Sequence, residues 1–231
     1  MPPVNTELLF AVLDRLQELP HRFVLLGGSI VGLLVDHPEL LDFRPTKDVD
    51  VLVEAMSRIE YTRLEEELRD HGFRHDISEG APICRWVVGE SAKLDVLPLD
   101  RSVLGFESKW FEEAWQHARE LEFEGRTMEL ITPVYLIATK LAAFESRGNG
   151  DFWASHDLED IMIVIDGRSS IVEDVRQAGH LVRDYIATLL SDYIEHTDFL
   201  EALCAYLDSD PASQERLPGL QQKVRAISSL Q

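Results

Sequence analysis

LLGGSIVGLL at residues 25–34 and RPTKDVDVLVE at residues 44–54 decide how the rest of the chain is read. The first closes the apolar run RFVLL (22–26) with two glycines and a serine. Gly27 and Gly28 let the backbone turn tightly and approach a ligand. The helical segment that follows Ser29 offers free N–H groups to a phosphate. The second stretch alternates aspartate with valine. Side chains on a strand alternate between its faces, so Asp48 and Asp50 point one way and Val49 and Val51 the other. Neighbouring carboxylates repel unless something positive lies between them. A divalent cation is the economical answer, and Mg²⁺ (or Mn²⁺) prefers carboxylates together with substrate phosphates. Asp95, flanked by Leu94 and Val96 in KLDVLPLD (93–100), offers a third carboxylate from a later strand. Metal on Asp48, Asp50 and Asp95, with a phosphate cradle at Gly27, Gly28 and Ser29, describes the chemistry of nucleotidyl transfer.

Composition bounds this reading. The 231 residues, 45% hydrophobic and 28% charged, suffice for one domain or two small ones. No apolar run approaches the roughly 20 residues that cross a bilayer. The first 20 residues lack a basic region ahead of an apolar one, so they do not read as a signal peptide. Cys84 and Cys204 lie far apart without CxxC spacing, which argues against a disulfide framework or a zinc site. The expected location is the cytoplasm. Lys and Arg number 22 against 42 Asp and Glu, a formal charge of −20. Such a surface repels phosphate backbones on average.

Working outward, NTELLFAVLDRLQEL (5–19) has helical spacing, RFVLL is a short strand, and SIVGLLVDH (29–37) reads as a short buried helix. SRIEYTRLEEELRDHG (57–72) predicts a second helix with Ile59, Leu64 and Leu68 inward. ICRWVV (83–88) and AKLDVLPL (92–99) predict a hairpin around GES, and RELEFEGRTMELIT (119–132) another turning at Glu124-Gly125. Thr132-Pro133 opens a helix that runs to the Gly148-Asn149-Gly150 joint; the remainder is helical. The expected class is therefore α/β (α+β): a small mixed β-sheet palm with flanking helices over residues 1–131, then a helical domain over residues 132–231.

GGSIVGLLVDHPELLDFRPTKDVDVLV (27–53) followed by KLDVLPLD resembles the nucleotidyltransferase superfamily with the polymerase-β-like palm. The resemblance covers roughly residues 20 to 100. It implies that Gly28 and Ser29 hold a triphosphate and that Asp48, Asp50 and Asp95 are metal ligands, with Asp95 also placed to act as a base. KLAAFESRGNGDFWASHDLEDI (140–161) is similar to the Lys–Arg–Asp–Asp segment of AbiEii-type toxins, the nucleotidyltransferase partners of type IV toxin–antitoxin pairs. By that likeness Lys140 contacts nucleotide phosphates and Asp157 orients it or helps activate the acceptor. A salt bridge of Lys140 or Arg147 with Asp157 or Asp160 is the alternative for all four. Lys47 and Arg44, beside the aspartate strand, are candidates for neutralising triphosphate. Arg147 is a further nucleotide-binding candidate.

The implied partners are an NTP, a hydroxyl acceptor on tRNA, protein or a small molecule, and a cognate antitoxin; no membrane is involved. Two other functions compete: small-molecule modification of the aminoglycoside type, and a non-catalytic nucleotide-binding regulatory module.

Overall fold

The computed structural model describes residues 4–55, 57–105 and 109–230. They group into two compact units: residues 1–30 with 44–132, and residues 31–43 with 133–231.

The first unit is built on a sheet of seven strands among the described residues: β1 (Phe23–Leu26), β2 (Asp48–Val53), β3 (Arg74–His75), β4 (Arg85–Val88), β5 (Ala92–Pro98), β6 (Arg119–Phe123) and β7 (Arg126–Leu130). Their order is β3-β4-β5-β2-β1-β7-β6. β2 lies parallel to β5 and antiparallel to β1, and β1 lies parallel to β7, so the sheet is mixed. The central strands are largely apolar apart from the aspartates and Lys93: Val49, Val51, Leu52, Leu94 and Val96 are fully buried. The helices α1 (Thr6–Leu16), α2 (Arg58–Asp70) and the short α3 (Arg101–Leu104) and α4 (Phe111–Gln116) flank it.

Local chemistry sets the boundaries. Asn5 caps α1 by accepting from the Leu8 amide, and Ser57 caps α2 through the Glu60 amide. α1 buries Leu9, Val12, Leu13 and Leu16 along one stripe against β2, β4 and β5. α2 buries Tyr61, Leu64, Glu65 and Leu68, and the Tyr61 hydroxyl donates to the Val96 carbonyl at 2.8 Å. Ile59, expected inward, is 69% exposed. At about 100° per residue it sits two positions and some 200° from Tyr61, so it falls on the outer face. Both expected hairpins form. Glu124 and Gly125 both have positive φ, the left-handed pair that a two-residue turn matching strand twist requires.

The second unit is helical: α5 (Pro133–Arg147), α6 (His156–Gly167), α7 (Ile171–Gln177), α8 (His180–Ile194), α9 (Thr197–Ala202), α10 (Pro211–Gln214) and α11 (Leu217–Ser228). α6 is capped by Ser155, and its buried face includes Leu158, Ile161, Met162, Val164 and Ile165. Lys223 of α11 donates to the carbonyls of Ile165, Asp166 and Arg168, satisfying the C-terminal end of α6. Residues 31–43, read from the sequence as palm, group with these helices. The Asp36 amide donates to the Gly167 carbonyl, the Asp36 carboxylate accepts from Ser169, and Leu41 and Val35 press on Gly167. The expected helix at 29–37 is a 3₁₀ turn, Gly28–Leu33. No helix among the described residues is long and apolar enough to cross a membrane.

Candidate active site

The parallel pairing of β2 and β5 sets Asp50 opposite Asp95. Residues paired in register share a face, and Asp48 lies two residues from Asp50, so all three aspartates occupy one face of the sheet centre. Asp95 is buried, while Asp48 and Asp50 are half-buried.

Asp50 and the glycine corner interlock. Gly27 has φ +80°, and a β-carbon placed on it would lie 2.0 Å from Asp50 Oδ2. Only glycine accepts both that backbone and that close carboxylate. The register Leu26↔Asp50 between β1 and β2 brings the two together. Beyond it, Gly28 opens the 3₁₀ turn, and Ser29 Oγ is buried with no hydrogen-bond partner among the described residues. An orphaned buried hydroxyl next to the corner is a donor awaiting an acceptor.

Arg85 completes the face. It sits on β4 directly opposite Asp95. Its Nε donates to Asp95 Oδ1 and one terminal nitrogen to Asp95 Oδ2, each at 2.7 Å; that nitrogen also bonds Asp48 Oδ2. Its hydrogen bonds to Asp95, with the added charges of Asp95, Asp48 and Asp50, raise the guanidinium pKa further. The neighbouring Cys84 thiol is pushed up to about 12, first by burial and then by the charges of Asp95 and Asp50. Cys84 is thus a buried, inert thiol.

Among the described residues no group of three or more His, Cys, Asp or Glu side chains converges as a ready metal cage. Asp48 and Asp95 converge on the guanidinium instead, and Asp50 turns to Gly27. The donor set nevertheless suits magnesium or manganese. All three candidate ligands are hard carboxylate oxygens on one face, and the space between two of them already accommodates a positive charge.

Lys47 lies one residue before β2. It lines an open cleft of about 770 Å³ with Asn5, Asp14, Arg15, Glu90 and Ser91, and the three aspartates are not in that lining.

In the helical unit, Lys140 of α5 meets two carboxylates of α6, with Nζ 3.2 Å from Asp157 Oδ1 and 2.6 Å from Asp160 Oδ2. The 157/160 spacing puts both acids on one helical face. Arg147, near the end of α5, forks onto Asp157 at 2.9 and 3.0 Å while remaining 70% exposed. Burial pushes the Asp157 carboxyl upward, but its bonds to Arg147 and the charges of Lys140 and Arg147 outweigh this, leaving it below the usual range. All four residues of the segment are therefore brought together. Trp153 is half-exposed beside them in the chain, and Trp115 is core.

Arg85 is a residue of this face that is not among the sequence-derived candidates. The signal was present: counting back from the Gly89–Ser91 turn pairs residue 85 with residue 95.

The fold so assembled is a mixed sheet with aspartates at its centre, followed in the chain by helices. Among solved structures it is similar to an antigenic nucleotidyltransferase-like protein from Paracoccidioides brasiliensis, with TM-score 0.55 and 18% identity over 98% of this chain and 95% of that one. It also matches the lincosamide antibiotic adenylyltransferase LnuA in its lincomycin-bound form (TM-score 0.42, 19% identity, 70% of this chain and 96% of that one). A third match is the antibiotic-resistance factor ANT(2'')-Ia (TM-score 0.49, 18% identity, 84% and 96%). At 18% identity the likeness to the first of these is one of fold. No protein-family model matches the sequence, and a search of curated proteins finds no relative.

Proposed function

We propose that this chain is a metal-dependent nucleotidyltransferase that moves NMP from an NTP to a hydroxyl acceptor and releases pyrophosphate. The observation that carries the reading is the interlock of Gly27 with Asp50. It ties a glycine corner suited to phosphate to a carboxylate face suited to a divalent ion.

In this reading the corner backbone at Gly27 and Gly28 lies along the triphosphate, and the Ser29 hydroxyl donates to one of its oxygens. Asp48, Asp50 and Asp95 would hold Mg²⁺ or Mn²⁺, which when bound would screen the triphosphate charge and make the acceptor hydroxyl easier to deprotonate. Asp95 takes the acceptor's proton. The acceptor oxygen then bonds to the α-phosphorus, and the bond from that phosphorus to the bridging oxygen breaks. The departing electron pair leaves with pyrophosphate. The proposal extends to Lys140 as a phosphate contact oriented by Asp157, with Arg147 supporting Asp157.

Charge supports one class of acceptor over another. A net −20 favours a cationic small molecule over the polyanionic backbone of tRNA. A toxin-like reaction on tRNA or protein, held in check by an antitoxin, is the reading drawn from the Lys140–Asp160 segment.

The test is to incubate purified protein with each α-labelled NTP and Mg²⁺, offering a panel of aminoglycosides and lincosamides, total tRNA, or cell protein. Label on a cationic drug is the expected result, and label on RNA moves the assignment to the toxin reading. Nucleotide bound without transfer to any acceptor means a non-catalytic module and overturns the proposal.

A further inference from the structure

We propose that Arg85 is a built-in counter-cation that competes with the divalent metal, so that loading requires its guanidinium to leave Asp95 and Asp48. The inference rests on the nucleotidyltransferase reading and deepens it by assigning a role to a residue outside the acidic set.

Three observations support it. First, the sheet register leaves Arg85 no other face to occupy. β4 pairs 85 with 95, β5 pairs 95 with 50, and side chains matched across neighbouring strands project together. Second, Arg85 engages both oxygens of Asp95 in a planar fork and reaches Asp48 with the same nitrogen. Those are oxygens a metal would use, and a cation approaching them meets the positive fork at close range. Third, release is compatible with the packing. Arg85 begins its strand and faces away from fully buried Trp86, and its side chain keeps 18% exposure, so it can rotate outward without opening the core. Beyond buried Cys84 the preceding segment is open to solvent too, with Ile77 at 95% and Ile83 at 57% exposure.

The device has a physical purpose. Without metal, three carboxylates on one face repel. The guanidinium neutralises part of that charge and keeps Asp48 and Asp95 oriented towards a common point until metal arrives.

The experiment measures metal affinity rather than turnover. Mn²⁺ alone is titrated into wild-type protein, Arg85→Gln, Arg85→Lys and the double variant Arg85→Gln/Asp95→Asn, with free Mn²⁺ counted by electron paramagnetic resonance. Arg85→Gln should bind one Mn²⁺ about tenfold more tightly than wild type, the scale of one charge-assisted hydrogen bond no longer opposing it. Arg85→Lys should return affinity towards wild type, and Asp95→Asn should abolish the tight site. Equal or weaker binding by Arg85→Gln, with wild type still binding, overturns the counter-cation and leaves the transferase reading standing. No binding by either protein, together with no nucleotide binding, overturns both.

Should Arg85→Gln fail to fold, the wild-type chain supplies the answer. The Arg85 Nε–H signal in ¹⁵N-arginine spectra should lose protection from solvent exchange as Mg²⁺ saturates. A signal that stays protected at saturation sinks the proposal.

Discussion

Arg85 and Asp95 face one another across the β4–β5 ladder and join through two bonds of 2.7 Å, with only 18% and 10% of their side chains exposed. Asp48 shares the same guanidinium from a more open position, 32% exposed. The two acids therefore differ in structural weight before any ligand is considered. In chelator, Asp95→Ala should lower unfolding stability by about 2 kcal/mol, because a mostly buried guanidinium loses its bidentate partner. Asp48→Ala should cost less than about 1 kcal/mol, since the fork to Asp95 survives. Urea denaturation with a common m-value checks the order, and a larger loss in Asp48→Ala would contradict it.

Gly27 answers to two constraints that can be separated. Its φ of +80° penalises any L side chain by about 1–2 kcal/mol, and a β-carbon there would strike Asp50 Oδ2. Gly27→Ala should therefore destabilise by more than the backbone cost alone. Repeating the substitution in an Asp50→Ala background should lower its cost by about 1 kcal/mol, a coupling that a double-mutant cycle reads directly. Strict additivity would mean that the carboxylate moves aside freely and that the corner and the aspartate strand are independent.

What could be read from the chain follows the range of the forces involved. The glycine corner, the aspartate alternation and the Glu124-Gly125 turn are local, set by φ preference and by the period of a strand, and the sequence displays them openly. Asp157 and Asp160 on one face of α6 belong with these, since their spacing alone places them. The Arg85 bridge depends on a hairpin register plus the neighbouring β2–β5 pairing, two non-local facts that no single window contains. The grouping of residues 31–43 with the helices is non-local for the same reason. Their attachment runs through Asp36 to Gly167 and Ser169, some 130 positions away. Ile59 shows a smaller failure, an apolar residue assigned inward on composition although its helical angle points out.

Lys140 meets Asp157 and Asp160 at once, whereas Arg147 forks onto Asp157 from a largely exposed position. Lys140→Met leaves Asp157 and Asp160, 8% and 3% exposed, without their shared ammonium, and should cost about 3 kcal/mol. Adding Asp160→Asn should recover part of that loss by removing one of the two buried charges that shared the ammonium. Arg147→Ala should cost less than about 1 kcal/mol, because its guanidinium is 70% exposed and Lys140 still serves Asp157. Chemical denaturation of the three variants checks the ranking. Recovery of nothing by Asp160→Asn would show that the ammonium's packing matters more than its charge.

Asp157 also fixes a direction in pH. Its carboxyl is held below the ordinary aspartate value of about 3.9 by Arg147 and Lys140 despite burial. Below that ordinary value the unfolded chain takes up the proton before the folded one does, so stability falls with falling pH. The contribution is complete above the unfolded value and is lost as pH drops through the lowered folded value. Asp157→Asn has no proton to gain, and its stability should decline less steeply than wild type below about pH 4. Urea melts of both proteins at steps through that range give the comparison. Parallel declines would mean that the Asp157 carboxyl titrates alike in the folded and unfolded chain, and that the Lys140–Arg147 cluster does not hold its charge.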